Sequence, residues 1–193
     1  MIHLKKLILP CVTIAGVAAA TQLDFQRFMA QKQSGCAFCT ANILERQTFY
    51  RGDKSLAILT HKPAVEGHVL IIPKRHVERF EELTPEEVAE MGETIKKVDA
   101  VVRRAFGTKG SVIVQKNGRE AGQTVPHVHF HYLPASRGLA LNFFLSPWLK
   151  PKDSEQLMRL RETLSAEFSK YDAIHASPPV NSSLQPESGR GRA

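Results

Sequence analysis

Gly122-Gln123-Thr124-Val125-Pro126-His127-Val128-His129-Phe130-His131 is the stretch on which the reading of this chain turns. Three histidines recur at every second position. Side chains on a strand alternate between faces, so His127, His129 and His131 would project from one face while Val128 and Phe130 pack on the other. Imidazole trades protons near neutral pH, ligates metals, and attacks electrophilic centres when unprotonated. The competing reading is a buried histidine cluster with no chemistry. Neighbouring buried imidazoles would each need a hydrogen-bond partner, which favours a functional site.

Working outward, strands are expected at about 46–51, 54–60, 67–73, 110–116 and 126–133, and Gly52-Asp53 supplies a hairpin signal between the first two. Two helices complete the set. Thr84-Pro85-Glu86-Glu87 is a start signal, with Thr84 as N-cap and Glu87 placed to close a capping box. Val88, Met91, Ile95, Val98 and Val102 then recur at helical spacing, and Gly107 supplies the stop. A second helix starts near Asp153 and carries Leu157, Leu160, Leu164 and Phe168 on one side. The order β-β-β-α-β-β-α predicts an α+β fold: an antiparallel five-stranded meander with two main helices on one face.

The 193 residues suit one domain with appended ends, and 42% hydrophobic content is enough for a core. A formal charge of +7 suits an anionic partner such as a nucleotide. The charge is spread out, with no basic block interleaved with aromatics, so nucleic-acid binding is not expected. Residues 1–28 read as a leader: Lys5 and Lys6 precede an uncharged run from Leu7 to Ala20 ending in Ala18-Ala19-Ala20. That pattern implies export or a membrane anchor; a start at Met29 would imply a cytoplasmic protein instead. A Pro-, Ser- and Gly-rich tail is expected over 173–193, which leaves about 34–172 as the folded unit.

With these elements in place, the chain resembles the histidine triad (HIT) family from about Cys36 to Pro134. Ala121-Gly122-Gln123-Thr124-Val125 precedes His127-Val128-His129-Phe130-His131-Tyr132-Leu133 as in that family, and Gly67-His68-Val69-Leu70-Ile71-Ile72-Pro73-Lys74 followed by His76 matches its second signature. The stretches 77–88 and 120–125 resemble the fragile-histidine-triad branch of dinucleoside polyphosphate hydrolases. The resemblance implies hydrolysis at the α-phosphorus of a nucleotide, with His129 as nucleophile and His131 as a donor to phosphate oxygens. It places Gln123 and Thr124 at the phosphates or leaving group, His68 beside the triad, and His127 as the first triad member. His131 stands where transferase relatives carry Gln, which favours a hydrolase. Two positions depart from the pattern. Thr60 stands where a ribose-binding Asp or Asn is usual, and Lys116 where Gln or Asn is usual, with Gln115 and Asn117 as neighbours. A lysine there would bind polyphosphate as a point charge or face solvent.

Cys36-Ala37-Phe38-Cys39 has the spacing of a zinc knuckle, although redox pairs share it. In zinc-bearing HIT proteins such a pair is completed by two histidines, and His76 and His127 occupy those positions here. The resemblance thus implies a structural Zn2+ on Cys36, Cys39, His76 and His127, with no catalytic metal. It also implies a homodimer. Two other classes compete: a nucleotide-binding signalling module with little hydrolysis, and a catalytic metal held by the three alternating histidines. Trp148 is expected either to close over the nucleotide, to reach a partner, or to pack in the core.

Overall fold

The computed structural model describes residues 36–136, Leu139 and 150–175; the expected leader, most of the expected tail, and Trp148 lie outside them. The element order is α1 (Ala41–Gln47), β1 (Thr48–Arg51), β2 (Ser55–Leu59), β3 (Val69–Pro73), α2 (Pro85–Phe106), β4 (Ser111–Gln115), β5 (Phe130–Pro134) and α3 (Ser154–His175), with three single-turn 3-10 segments. All five strands form one antiparallel sheet in the order β1-β2-β3-β5-β4. The α+β meander is therefore present, and strand order leaves chain order only at its end. The crossover through α2 delivers β4 to the sheet edge, and β5 fills the gap beside β3.

Strands β2 and β3 are apolar on both sides and buried throughout. Ala57, Leu59, Val69 and Ile71 face one core together with Val98, Val101 and Val102 of α2 and Leu164 and Phe168 of α3. Both long helices thus cover one face, and Phe49 of β1 meets Phe168 at 5.6 Å between ring centroids. Leu56, Ile58, Leu70 and Ile72 point the other way, under Phe38, Ile43 and Leu44. Each fully buried aliphatic side chain here contributes about 1.5–3 kcal/mol.

Local signals set the helix ends. The Thr84 hydroxyl accepts from the Glu87 N–H (3.2 Å) while the Glu87 carboxylate accepts from the Thr84 N–H (2.9 Å), and Gly107 ends α2 in the left-handed region at φ 64°. Asp153 caps α3 by accepting from the Gln156 N–H at 2.8 Å. Within α2, Met91, Thr94, Val98, Val101 and Val102 are buried, whereas Val88 is 39% exposed. Residues 46 and 47 belong to the end of α1 rather than to the first strand, because Ile43 and Leu44 are needed to cover the second sheet face. Among the described residues, no helix is long and apolar enough to cross a membrane.

Candidate active site and metal cluster

The last strand begins at Phe130, so His127 and His129 precede its ladder. Their alternation survives nonetheless. Val128 and Phe130 pack into the helix-side core, and the three imidazoles line up on the opposite face. Two backbone contacts hold this approach in strand-like form: the Val128 N–H donates to the Val77 carbonyl at 2.7 Å, and Gln123 spans the loop before it. Gln123 is buried. Its Oε1 accepts from the Gly118 N–H (2.6 Å), and its Nε2 donates toward the carbonyls of Glu78 (2.9 Å), Val125 (3.1 Å) and His127 (3.3 Å).

The hydrogen bonds assign tautomers. His129 Nδ1 lies 2.7 Å from the His127 carbonyl oxygen, an acceptor only, so Nδ1 carries the hydrogen and Nε2 a lone pair. The Ala64 N–H donates to His68 Nδ1 at 3.1 Å, which puts the His68 hydrogen on Nε2. That hydrogen points to His131 Nδ1 at 2.9 Å, and His131 accordingly carries its own hydrogen on Nε2. A lone pair on one ring therefore sits beside an N–H on the next, with centroids 5.0 Å apart.

Burial disfavours the charged form of all three rings. It depresses His68 and His129 to about 4, and His131, whose protonation is also opposed by Lys116 and by any charge on His129 and His68, to about 2. The rings are neutral at pH 7, as an attacking imidazole must be. The linkage to stability has a definite sign. Unfolded histidine takes up a proton near 6.5 and these folded ones do not, so stability is lost as pH falls through about 6.5 toward 4. Urea midpoints measured at pH 7.5 and pH 5 should report a loss of about 2 kcal/mol or more from His68 and His131. Equal stability at both pH values would contradict the assignment.

A second cluster adjoins the first through His127. Cys36, Cys39, His76 and His127 present ligand atoms that all lie within 4.8 Å of one another. Cys36 Sγ and His127 Nδ1 are 3.3 Å apart, Cys39 Sγ and His76 Nδ1 3.4 Å, and Cys39 Sγ and His127 Nδ1 3.6 Å. Donors at the corners of a tetrahedron with bonds of about 2.0–2.3 Å stand about 3.5 Å apart, so the spacing fits a four-coordinate metal. The ring tautomers fit as well. His127 Nε2 donates to the Pro73 carbonyl at 3.0 Å, and His76 Nε2 faces the Glu78 carboxylate at 3.7 Å, which leaves both Nδ1 atoms directed at the sulfurs. In the metal-free site, burial and the neighbouring Cys39 push the Cys36 thiol up to about 11; a bound cation reverses that preference. Both cysteines are free thiols.

The remaining expected residues fall around this core. Thr60 follows β2, one step past the Leu59–Val69 pair and so opposite His68, and its hydroxyl accepts from the Lys62 N–H at 3.3 Å. Asn117 joins two loops: its Oδ1 accepts from the Phe80 N–H (2.9 Å) and its Nδ2 donates to Glu81 (2.8 Å). Thr124 is exposed on the loop entering the triad, and Lys116 is partly buried at the end of β4. Phe38 was not anticipated. Its ring edge meets both His127 (5.9 Å) and His129 (5.4 Å), and the signal for it was the aromatic residue between the two cysteines.

Comparison with known proteins agrees with this geometry. Residues 42–138, half of the chain, match the model of the HIT domain. The chain is 43% identical over 91 residues to the asymmetrical bis(5'-nucleosyl)-tetraphosphatase of Schizosaccharomyces pombe, covering 47% of this chain and 50% of that one. It is 42% identical over 80 residues to the adenosine 5'-monophosphoramidase hnt1 of the same yeast, covering 42% of this chain and 57% of that one. The chain thus spans half of the first relative's length and 57% of the second's. A zinc-bound histidine triad family protein from Mycobacterium smegmatis superimposes with a TM-score of 0.58 at 29% identity, covering 72% of this chain and 97% of that structure. With the paired signatures, the antiparallel five-stranded sheet and the domain match in agreement, this chain belongs to the HIT family.

Proposed function

We propose that the protein is a nucleotide hydrolase that cleaves at the α-phosphorus of a dinucleoside polyphosphate or nucleoside phosphoramidate and releases a nucleoside monophosphate. The observation that carries this reading is the tautomer of His129, whose Nδ1–H is tied to the His127 carbonyl at 2.7 Å. An imidazole so held offers Nε2 as a neutral nucleophile. It attacks phosphorus, the bond to the leaving group breaks in line, and a nucleotidyl-His129 intermediate forms. Water then attacks the same phosphorus and regenerates the ring. His131 donates its Nε2–H to the phosphoryl oxygens, held in that tautomer by His68. Gln123 acts through the loop, holding the His127 carbonyl that in turn orients His129. In this reading Thr60, Thr124, Lys116 and Asn117 contact the rest of the substrate. The names of the two yeast relatives supply the substrate classes.

Incubation with diadenosine tetraphosphate, diadenosine triphosphate or adenosine phosphoramidate should release AMP from at least one of them. Nucleotide binding without AMP from any would favour the binding-module reading.

We assign zinc to the four-ligand cluster, where Cys36, Cys39, His76 and His127 would hold it. A closed Cys2His2 set leaves no open position, so the ion would be structural and would tie the segment around Phe38 to the sheet.

A homodimer belongs to the same proposal. β4 is an edge strand with Val112 and Ile113 44% and 48% exposed, a surface suited to a second copy of this chain. Light scattering should give twice the monomer mass; a monomeric mass refutes it.

A further inference from the structure

Lys116 lies one residue beyond the ladder that joins β4 to β5. In that ladder Val114 faces His131 and Gln115 faces Phe130, so the next pair in register is Lys116 and His129. Residues directly opposed across an antiparallel pair share a face, which puts the lysine on the imidazole side. A second observation locates its far end. A Cβ added to Gly122 would lie 3.6 Å from Lys116 Nζ and 3.7 Å from its Cδ. Gly122 sits at φ 81°, a left-handed conformation suited to glycine, and the lysine tip lies over it, against the loop that carries Gln123 and Thr124. The ammonium charge adds to the burial that depresses His131. Partial burial disfavours the charge of Lys116 itself.

The rings of His68 and His131 offer hydrogen bonds but no net charge at pH 7. The substrate classes differ in where they need one. A phosphoramidate and a dinucleoside polyphosphate present the same α-phosphoryl group. The first departs as an amine with no negative charge, the second as a phosphate chain with about two to four negative charges. A flexible point charge suits phosphate oxygens that shift as the bond breaks.

We propose that Lys116 is a specificity-determining residue whose ammonium, lying over Gly122 beside His129, holds the departing polyphosphate chain and selects substrates with a phosphate leaving group over those with an amine. This rests on the hydrolase reading above. The test compares kcat/KM for diadenosine tetraphosphate and adenosine phosphoramidate in the full chain and in Lys116→Gln and Lys116→Arg. The ratio between the two substrates should fall about tenfold or more in the glutamine variant and return to within about threefold of the parent in the arginine variant. An unchanged ratio, or equal losses on both substrates, overturns the proposal. Calorimetric titration with inorganic tripolyphosphate reads the same contact without turnover. Kd should weaken about tenfold in Lys116→Gln and hold in Lys116→Arg, and equal Kd values in parent and glutamine variant overturn the proposal. Absence of AMP from the parent chain on either nucleotide would defeat the hydrolase reading, while the tripolyphosphate arm would still decide the role of the lysine.

Discussion

His129→Ala is expected to lower the rate of AMP release by about 10⁴-fold or more, because the proposed mechanism assigns the attack on phosphorus to its Nε2. Nucleotide affinity should change far less. The hydrogen bonds that orient His131 through His68, and the position of Lys116 over Gly122, do not involve the His129 ring. The substitution does leave a hole beside Phe38, since the two rings meet at 5.4 Å in a buried setting. His129→Gln fills most of that space and should be equally inactive, which separates lost chemistry from lost packing. The decisive measurement is rapid quenching with substrate labelled in the α-phosphate. The P–N bond of a nucleotidyl-histidine is labile in acid and survives base, so base-quenched parent protein should retain label and both variants should retain none. Either variant turning over within tenfold of the parent would remove His129 from the reaction.

The second large effect is on stability. Stripping metal with a chelator, or replacing Cys36 by Ser, should lower the melting temperature by about 10 °C. Bound zinc would tie the Phe38 segment, which covers Leu56, Ile58, Leu70 and Ile72, to His76 and His127. The helix-side core meets the cluster through Val77 and Val128, which adjoin His76 and His127, and is otherwise built on the sheet, α2 and α3, so the domain should loosen rather than unfold outright. Zinc uptake by the metal-free protein should release protons, because the Cys36 thiol is pushed up to about 11 there and must ionise to bind. Calorimetry in buffers of different ionisation enthalpy would register that release. Protein prepared under reducing, chelator-free conditions with less than about a tenth of a mole of zinc per protomer would contradict a structural site.

Much of this was legible in the sequence, for reasons that differ by residue. The alternation of His127, Val128, His129, Phe130 and His131 predicted which side chains share a face, and that held even where the ladder had not yet begun. Thr84, Glu87 and Gly107 fixed the ends of α2 because capping is local chemistry. α1 was not legible. Thr40 makes no side-chain cap, and seven residues carry too little periodicity to separate a short helix from the following strand. The decisive parts of the site are main-chain atoms: the His127 carbonyl on His129, the Pro73 carbonyl on His127, the Ala64 N–H on His68. Every residue has such atoms, so no residue type announces them. The backbone contacts of Gln123 escaped for the same reason, since these partners are all main-chain atoms.

One residue divides its duties between side chain and main chain. The His127 ring belongs to the cysteine cluster, while its carbonyl orients the nucleophile. A carbonyl is inherited unchanged through any substitution; a ring is not. In a lineage that gave up Cys36 and Cys39, position 127 would be released to drift to other residues while His129 kept its orientation. Where the cysteines persist, 127 and 76 should vary only together with them. Sequence change at the first of the three histidines is therefore expected to track the fate of the metal rather than the fate of the reaction.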